Sequence, residues 1–244
     1  MNNGSQRQVY DSVWSLGQWC ATALCLKKLG LRSASGPFDW TGIGVRIGNY
    51  VELMTNGFAG YFAKENLRKL RENPAEGTDV YIDSVQGWES RHDFKIGVPF
   101  GENYARYRAL LDRRTERLLA SLRSGGRLLF VHWFGEGHYP REEVVAAMRR
   151  LRAAYSATKI DLLVIETEKF AEGVVYEEPE PGVVFAVGDF YDQKRYDAVM
   201  GNKPLALSVL GRIRMRGRWR NLLHVRIESL RRRMRRRRLA GGGK

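Results

Sequence analysis

Three uninterrupted apolar runs constrain the fold most: Leu128-Leu129-Phe130-Val131, Leu162-Leu163-Val164-Ile165 and Val183-Val184-Phe185-Ala186-Val187. Each reads as a short buried strand. Between the first two, Glu142 to Tyr155 reads as a helix with Val144, Val145, Met148, Leu151 and Ala154 on one side. Buried strands alternating with a helix predict an α/β fold, a mostly parallel sheet with helices on both faces. Upstream, residues 9–31 read as strand, turn and helix, and 32–44 as a loop. Residues 45–72 read as helix in pieces, broken at Asn56-Gly57, and Val80–Ile82 as a short strand. Residues 102–123 form a helix that ends at Gly125-Gly126. In open α/β sheets, sites gather beyond the carboxyl ends of the strands. Cys20, His132, Glu166 and Asp189 each follow an expected strand, and strand order decides whether they converge.

Cys20 ends Ser15-Leu16-Gly17-Gln18-Trp19-Cys20, between an apolar strand-like run and the helical run Ala21, Ala23, Leu24, Leu26 and Leu29. A thiol at a helix start is expected to ionise more readily. The first helical N–H groups are free to hold an oxyanion. The alternative is a buried structural cysteine. Cys25 lies in the apolar stripe, and five residues on turns the pair roughly 140° apart, so neither a bridge nor a shared metal site is expected.

The 244 residues suit one domain plus an appendage. No apolar run reaches the length of a membrane helix, and the first residues lack a signal-peptide core, so a cytoplasmic location is expected. The net charge of +14 is concentrated at one end: residues 211–244 hold 13 Arg, 1 Lys and 1 Glu, leaving the remainder near +1. The chain therefore divides into a domain over 1–208 and an arginine-rich tail over 209–244. In the tail, Trp219, Leu223, Ile227, Leu230 and Met234 recur at helical spacing. This basic amphipathic helix suits an anionic membrane surface or an acidic partner, engaged through Arg212–Arg238, and a peripheral place at the inner face of a membrane. It can instead dock its stripe on the domain. No recognition motif accompanies the Arg231–Arg238 run, so nucleic acid is not expected as the main partner.

A cysteine nucleophile needs a base, usually His, often oriented by a carboxylate. His92 has Asp93 beside it, although neighbours on a strand point oppositely. His132 competes by its place at a strand end. His132-Trp-Phe-Gly-Glu136-Gly-His138 matches no zinc pattern, so no metal is expected. Gly42-Ile-Gly44 lacks the preceding strand of a dinucleotide loop. Phe38-Asp39-Trp40 reads as packing, with Asp39 in a turn or lining a pocket.

Ser15-Leu16-Gly17-x-x-Cys20, Leu29-Gly30-Leu31-Arg32, Pro37-Phe38-Asp39-Trp40 and His92-Asp93-Phe94 together resemble DUF1796, a bacterial family of papain-like cysteine peptidases. The resemblance spans residues 12–94 by motif and is compatible with about 8–205. It implies Cys20 as nucleophile, His92 as base, Asp93 or Asp39 as its polar partner and Gln18 as an oxyanion donor. It implies a peptide or other acyl substrate, no cofactor, and an α+β papain-like fold as the alternative to the parallel sheet. The Gly-x-x-Cys turn is also similar to that of a polysaccharide-biosynthesis acetyltransferase family, which would bring coenzyme A and acyl transfer to a sugar. A third expectation is a non-catalytic binding protein anchored by its tail.

Overall fold

The computed structural model describes residues 8–17, 20–40, 46–136, 138–190 and 203–241. The chain opens with strands β1 (Val9–Tyr10) and β2 (Ser12–Ser15), then helices α1 (Cys20–Lys28) and α2 (Ile47–Thr55). Strands β3 (Leu67–Asn73), β4 (Thr78–Asp83) and β5 (Glu89–Lys95) precede the long helix α3 (Phe100–Leu122). Next come β6 (Arg127–Glu136), α4 (Arg141–Ala154), β7 (Lys159–Thr167), β8 (Val174–Glu180) and β9 (Val183–Gly188). After these lie α5 (Lys203–Leu210), β10 (Arg214–Met215) and α6 (Arg218–Gly241).

The expected parallel sheet forms. Its order is β2-β6-β7-β9-β8, and β2, β6, β7 and β9 run parallel while β8 pairs antiparallel at the edge. The apolar runs align in register, Trp14 with Phe130, Phe130 with Leu162, and Val164 with Phe185. Alternation along the strands separates two cores. Phe130, Leu162, Val164 and Phe185 pack with Tyr50 and Met54 of α2, Leu111 of α3 and Met148 of α4. Leu129, Val131, Trp133 and Ile165 pack with Ala21, Cys25 and Leu26 of α1 and with Ala206, Val209 and Leu210 of α5. Both sheet faces are thus covered, as a continuous apolar strand requires.

Residues 67–95 depart from expectation. Where helix was expected up to residue 72, β3 begins at Leu67 and joins β4 and β5 in an antiparallel sheet. The fold therefore carries an α+β element beside its α/β core. Only Leu67 of β3 is buried, and its other side chains are mostly charged and wet. A helix and an exposed edge strand are hard to tell apart from such a composition, and cross-strand pairing decides between them. The inner face of this sheet presents Phe94, whose ring lies 5.1 Å from Tyr107 of α3.

Phe38 packs between α2 and the β4–β5 hairpin. It is fully buried, 4.9 Å from Tyr50 edge-to-face and 5.7 Å from Trp88 in a stack. Its neighbour Asp39 is buried too, accepting from Gly36 N at 2.8 Å and pairing with the Arg32 guanidinium. Burial raises the Asp39 pKa, and the Arg32 charge opposes that rise. The Pro37-Phe38-Asp39-Trp40 cluster thus packs the core and closes a turn.

Candidate active site

The β2–α1 junction carries the candidate nucleophile. Gly17 adopts a φ of 65°, a left-handed conformation suited to glycine, and its N–H donates to Ser15 Oγ at 3.3 Å. Cys20 is the first residue of α1 and is half-buried, whereas Cys25 is buried in the core below. Neither cysteine is in a disulfide. Gln18 lies outside the described residues, as do Gly42 and Gly44.

Because β2, β6, β7 and β9 are parallel neighbours, the residues at their carboxyl ends share one edge of the sheet. His132 and Glu166 prove to lie inside longer strands, His132 well before the end of β6 at Glu136 and Glu166 next to the last residue of β7, Thr167. His132 is fully buried. Its Nδ1 donates to Leu16 O at 2.8 Å, and its Nε2 accepts from Tyr139 OH at 3.1 Å. Burial lowers its pKa to about 4, against a raising influence of the Leu16 hydrogen bond. Burial also holds the Tyr139 phenol protonated. His132 is therefore a neutral ring with both nitrogens occupied. It ties the loop before Cys20 to the loop after β6, which is a positioning role rather than that of a free base.

Glu166 is a buried carboxylate that gathers the same loop. Its Oε1 accepts from Tyr139 N and Arg141 Nη1, both at 2.8 Å, and its Oε2 meets His138 Nδ1 at 3.0 Å. Arg141 continues to Glu177 at 2.8 Å and lies 3.9 Å over the Phe185 ring. His138 itself is 56% exposed, while a carboxylate holds its Nδ1. Sequence reasoning missed this pair. Its signal was Glu166 itself, a carboxylate closing an apolar strand, which needs donors nearby if it is to be buried. Asp189 follows β9 and accepts from Phe170 N at 3.2 Å.

His92 lies on β5 of the antiparallel sheet. Its Nδ1 bonds the Glu76 carboxylate, and its ring meets Trp40 edge-on at 5.7 Å. The adjacent Asp93 accepts from Ser90 Oγ at 3.1 Å instead. The carboxylate that orients His92 is therefore Glu76, because adjacent strand residues face opposite ways. Among the described residues, no three His, Cys, Asp or Glu side chains cluster as metal ligands would. No helix of the described residues is long and apolar enough to cross a membrane.

The chain is 30% identical over 132 residues to Uncharacterized protein R408 of Acanthamoeba polyphaga mimivirus, covering 48% of this chain and 59% of that protein. The chain thus spans less than two thirds of that relative. The relative is viral, which leaves the expected bacterial character of the family without support here. No solved structure matches the chain. A family model described as "Putative papain-like cysteine peptidase (DUF1796)" matches residues 11–167, a span that holds Cys20, His92, His132, His138 and Glu166. The chain belongs to this DUF1796 family.

Proposed function

We propose that the protein is a cysteine-dependent hydrolase of peptidase type, with Cys20 as nucleophile and His92 as base. The observation that carries this reading is Cys20 at the start of α1, on the carboxyl side of β2, in a chain of this family. A helix start favours thiolate and offers N–H groups to an oxyanion. In the proposed cycle, His92 Nε2 takes the thiol proton and the sulfur attacks the acyl carbonyl. The C–N or C–O bond breaks, and the imidazolium returns its proton to the leaving group. Water, deprotonated by the same ring, then releases the acid from the thioester. Glu76 on Nδ1 supports this assignment, since it fixes the tautomer that leaves Nε2 free to accept. Asp39 and Asp189 serve the surrounding structure in this reading, and no cofactor takes part.

A second assignment of the base rests on His138. Its Nδ1 is held by buried Glu166, and it follows β6, the direct neighbour in the sheet of β2, the strand that leads into the Cys20 helix. The pH dependence of iodoacetamide alkylation at Cys20, read by mass spectrometry in wild type, His92→Ala and His138→Ala, decides between them. A Cys20 profile centred well below about 8.5 is expected, rising when the true partner is removed. Buried Cys25 is the internal control. A profile that neither substitution moves, or a Cys20 that stays unlabelled in the folded chain, overturns the catalytic reading.

A further inference from the structure

Helix α6 touches the body along one side only. Arg218 Nε donates to Leu29 O at 2.8 Å, and Asn221 Nδ2 to Gly30 O at 3.1 Å. Lys27 pairs with Glu228 at 2.8 Å. A Cβ at Gly30 would stand 2.5 Å from Leu222 Cγ, so the end of α1 and the start of α6 meet with no spare room. The half-buried positions Arg218, Asn221, Leu222, Val225 and Glu228 project in one direction. At about 100° per residue, Trp219, Leu223, Ile227, Leu230 and Met234 project roughly 160° away from it.

These five apolar side chains are 64%, 52%, 39%, 56% and 55% exposed. The stripe expected from the sequence is thus real, but the helix docks by its other face. Exposed Arg220 and Arg231 flank the stripe on one side and exposed Arg226 on the other. Residues 218–241 hold ten Arg and one acid, Glu228, which is turned to the body and held by Lys27. The outward surface of α6 is therefore apolar along its centre and cationic along both margins.

We propose that α6 binds an anionic lipid surface. It lies in the interface, with the Trp219–Met234 stripe among the upper acyl chains and the flanking arginines on headgroup phosphates. Such a surface satisfies both features together. A second copy of the helix would bring two rows of arginine against each other. Nucleic acid would engage the arginines and leave the stripe in water. The stable seat on α1 means the helix needs no rearrangement to present this face.

The test is co-sedimentation of the full chain with vesicles of phosphatidylglycerol mixed with phosphatidylcholine, and of phosphatidylcholine alone. Partitioning into the mixed vesicles is expected, at least about tenfold weaker into the neutral ones. The triple variant Leu223→Ser, Ile227→Ser, Leu230→Ser keeps every arginine and changes only exposed side chains. It should lose about tenfold in partitioning. Brominated lipid should quench wild-type emission more than that of Trp219→Phe, which checks insertion without disturbing the fold. Equal partitioning of wild type and triple variant overturns the proposal, as does equal quenching. Displacement from vesicles by polyglutamate or duplex DNA at low concentration also overturns it, and points to an acidic chain or nucleic acid instead.

Discussion

His132 and His92 occupy opposite kinds of surroundings. His132 sits inside the parallel sheet, fully buried, with a carbonyl on one nitrogen and a phenol on the other. His92 sits on the small antiparallel sheet, at the surface, with a carboxylate, among the described residues, on one nitrogen only. The first ring is saturated by neutral partners and serves as a strut. The second is oriented and still open. Position at a strand end pointed to His132 as a base, but position does not reveal how many of a ring's hydrogen bonds are already spent. His138 combines features of both regions, an open ring held by a buried carboxylate.

The comparison breaks most visibly at Glu166. Replacing it with Ala leaves the Tyr139 N–H and one arm of Arg141 without their buried acceptor. Urea unfolding should show a loss of about 3 kcal/mol, with Glu166→Gln losing less because it still accepts. A change under about 0.5 kcal/mol would mean the carboxylate does not hold the loop after β6.

The next effect is acid lability. His132 binds a proton in the folded chain only near pH 4, whereas its ordinary value is 6.5. The unfolded chain therefore takes up a proton first as pH falls. Stability from this ring is complete above about pH 6.5 and declines toward pH 4, by about 3 kcal/mol in all. Denaturant titrations across that window should be flatter in His132→Asn than in wild type. Parallel slopes in the two proteins would place the acid sensitivity elsewhere.

The smallest expected effect sharpens the contrast from the other side. His92→Ala removes a surface hydrogen bond with Glu76, so the free energy of unfolding should change by no more than about 0.5 kcal/mol. A large destabilisation, measured by the same titration, would make His92 a structural residue like His132.

The two regions also differ in how far the chain announces them. The parallel sheet was legible because strands buried on both faces need apolar residues at every position, and Leu128–Val131, Leu162–Ile165 and Val183–Val187 supply them. The helix over Arg141–Ala154 followed from its stripe. The antiparallel sheet was not legible beyond Val80–Ile82. Strands β3 and β5 carry charge along most of their length, and pairing with β4 holds them rather than pattern. At the site, Cys20 could be placed from local signals alone. The partnership of His92 with Glu76 could not, since the two stand sixteen positions apart with a hairpin between them. The tail stripe was visible, but which face of α6 meets the body depended on Leu29, Gly30 and Lys27, far away in the chain.

Helix α1 is nine residues long, with the thiol on its first turn and the seat of α6 just beyond its last. Adding or deleting one residue within it would rotate one end against the other by about 100°. Cys20 would turn from the edge of β2, or Gly30 from Leu222. The length of this helix is therefore a shared constraint: point substitutions on its wet side are free to accumulate, but insertions and deletions are not.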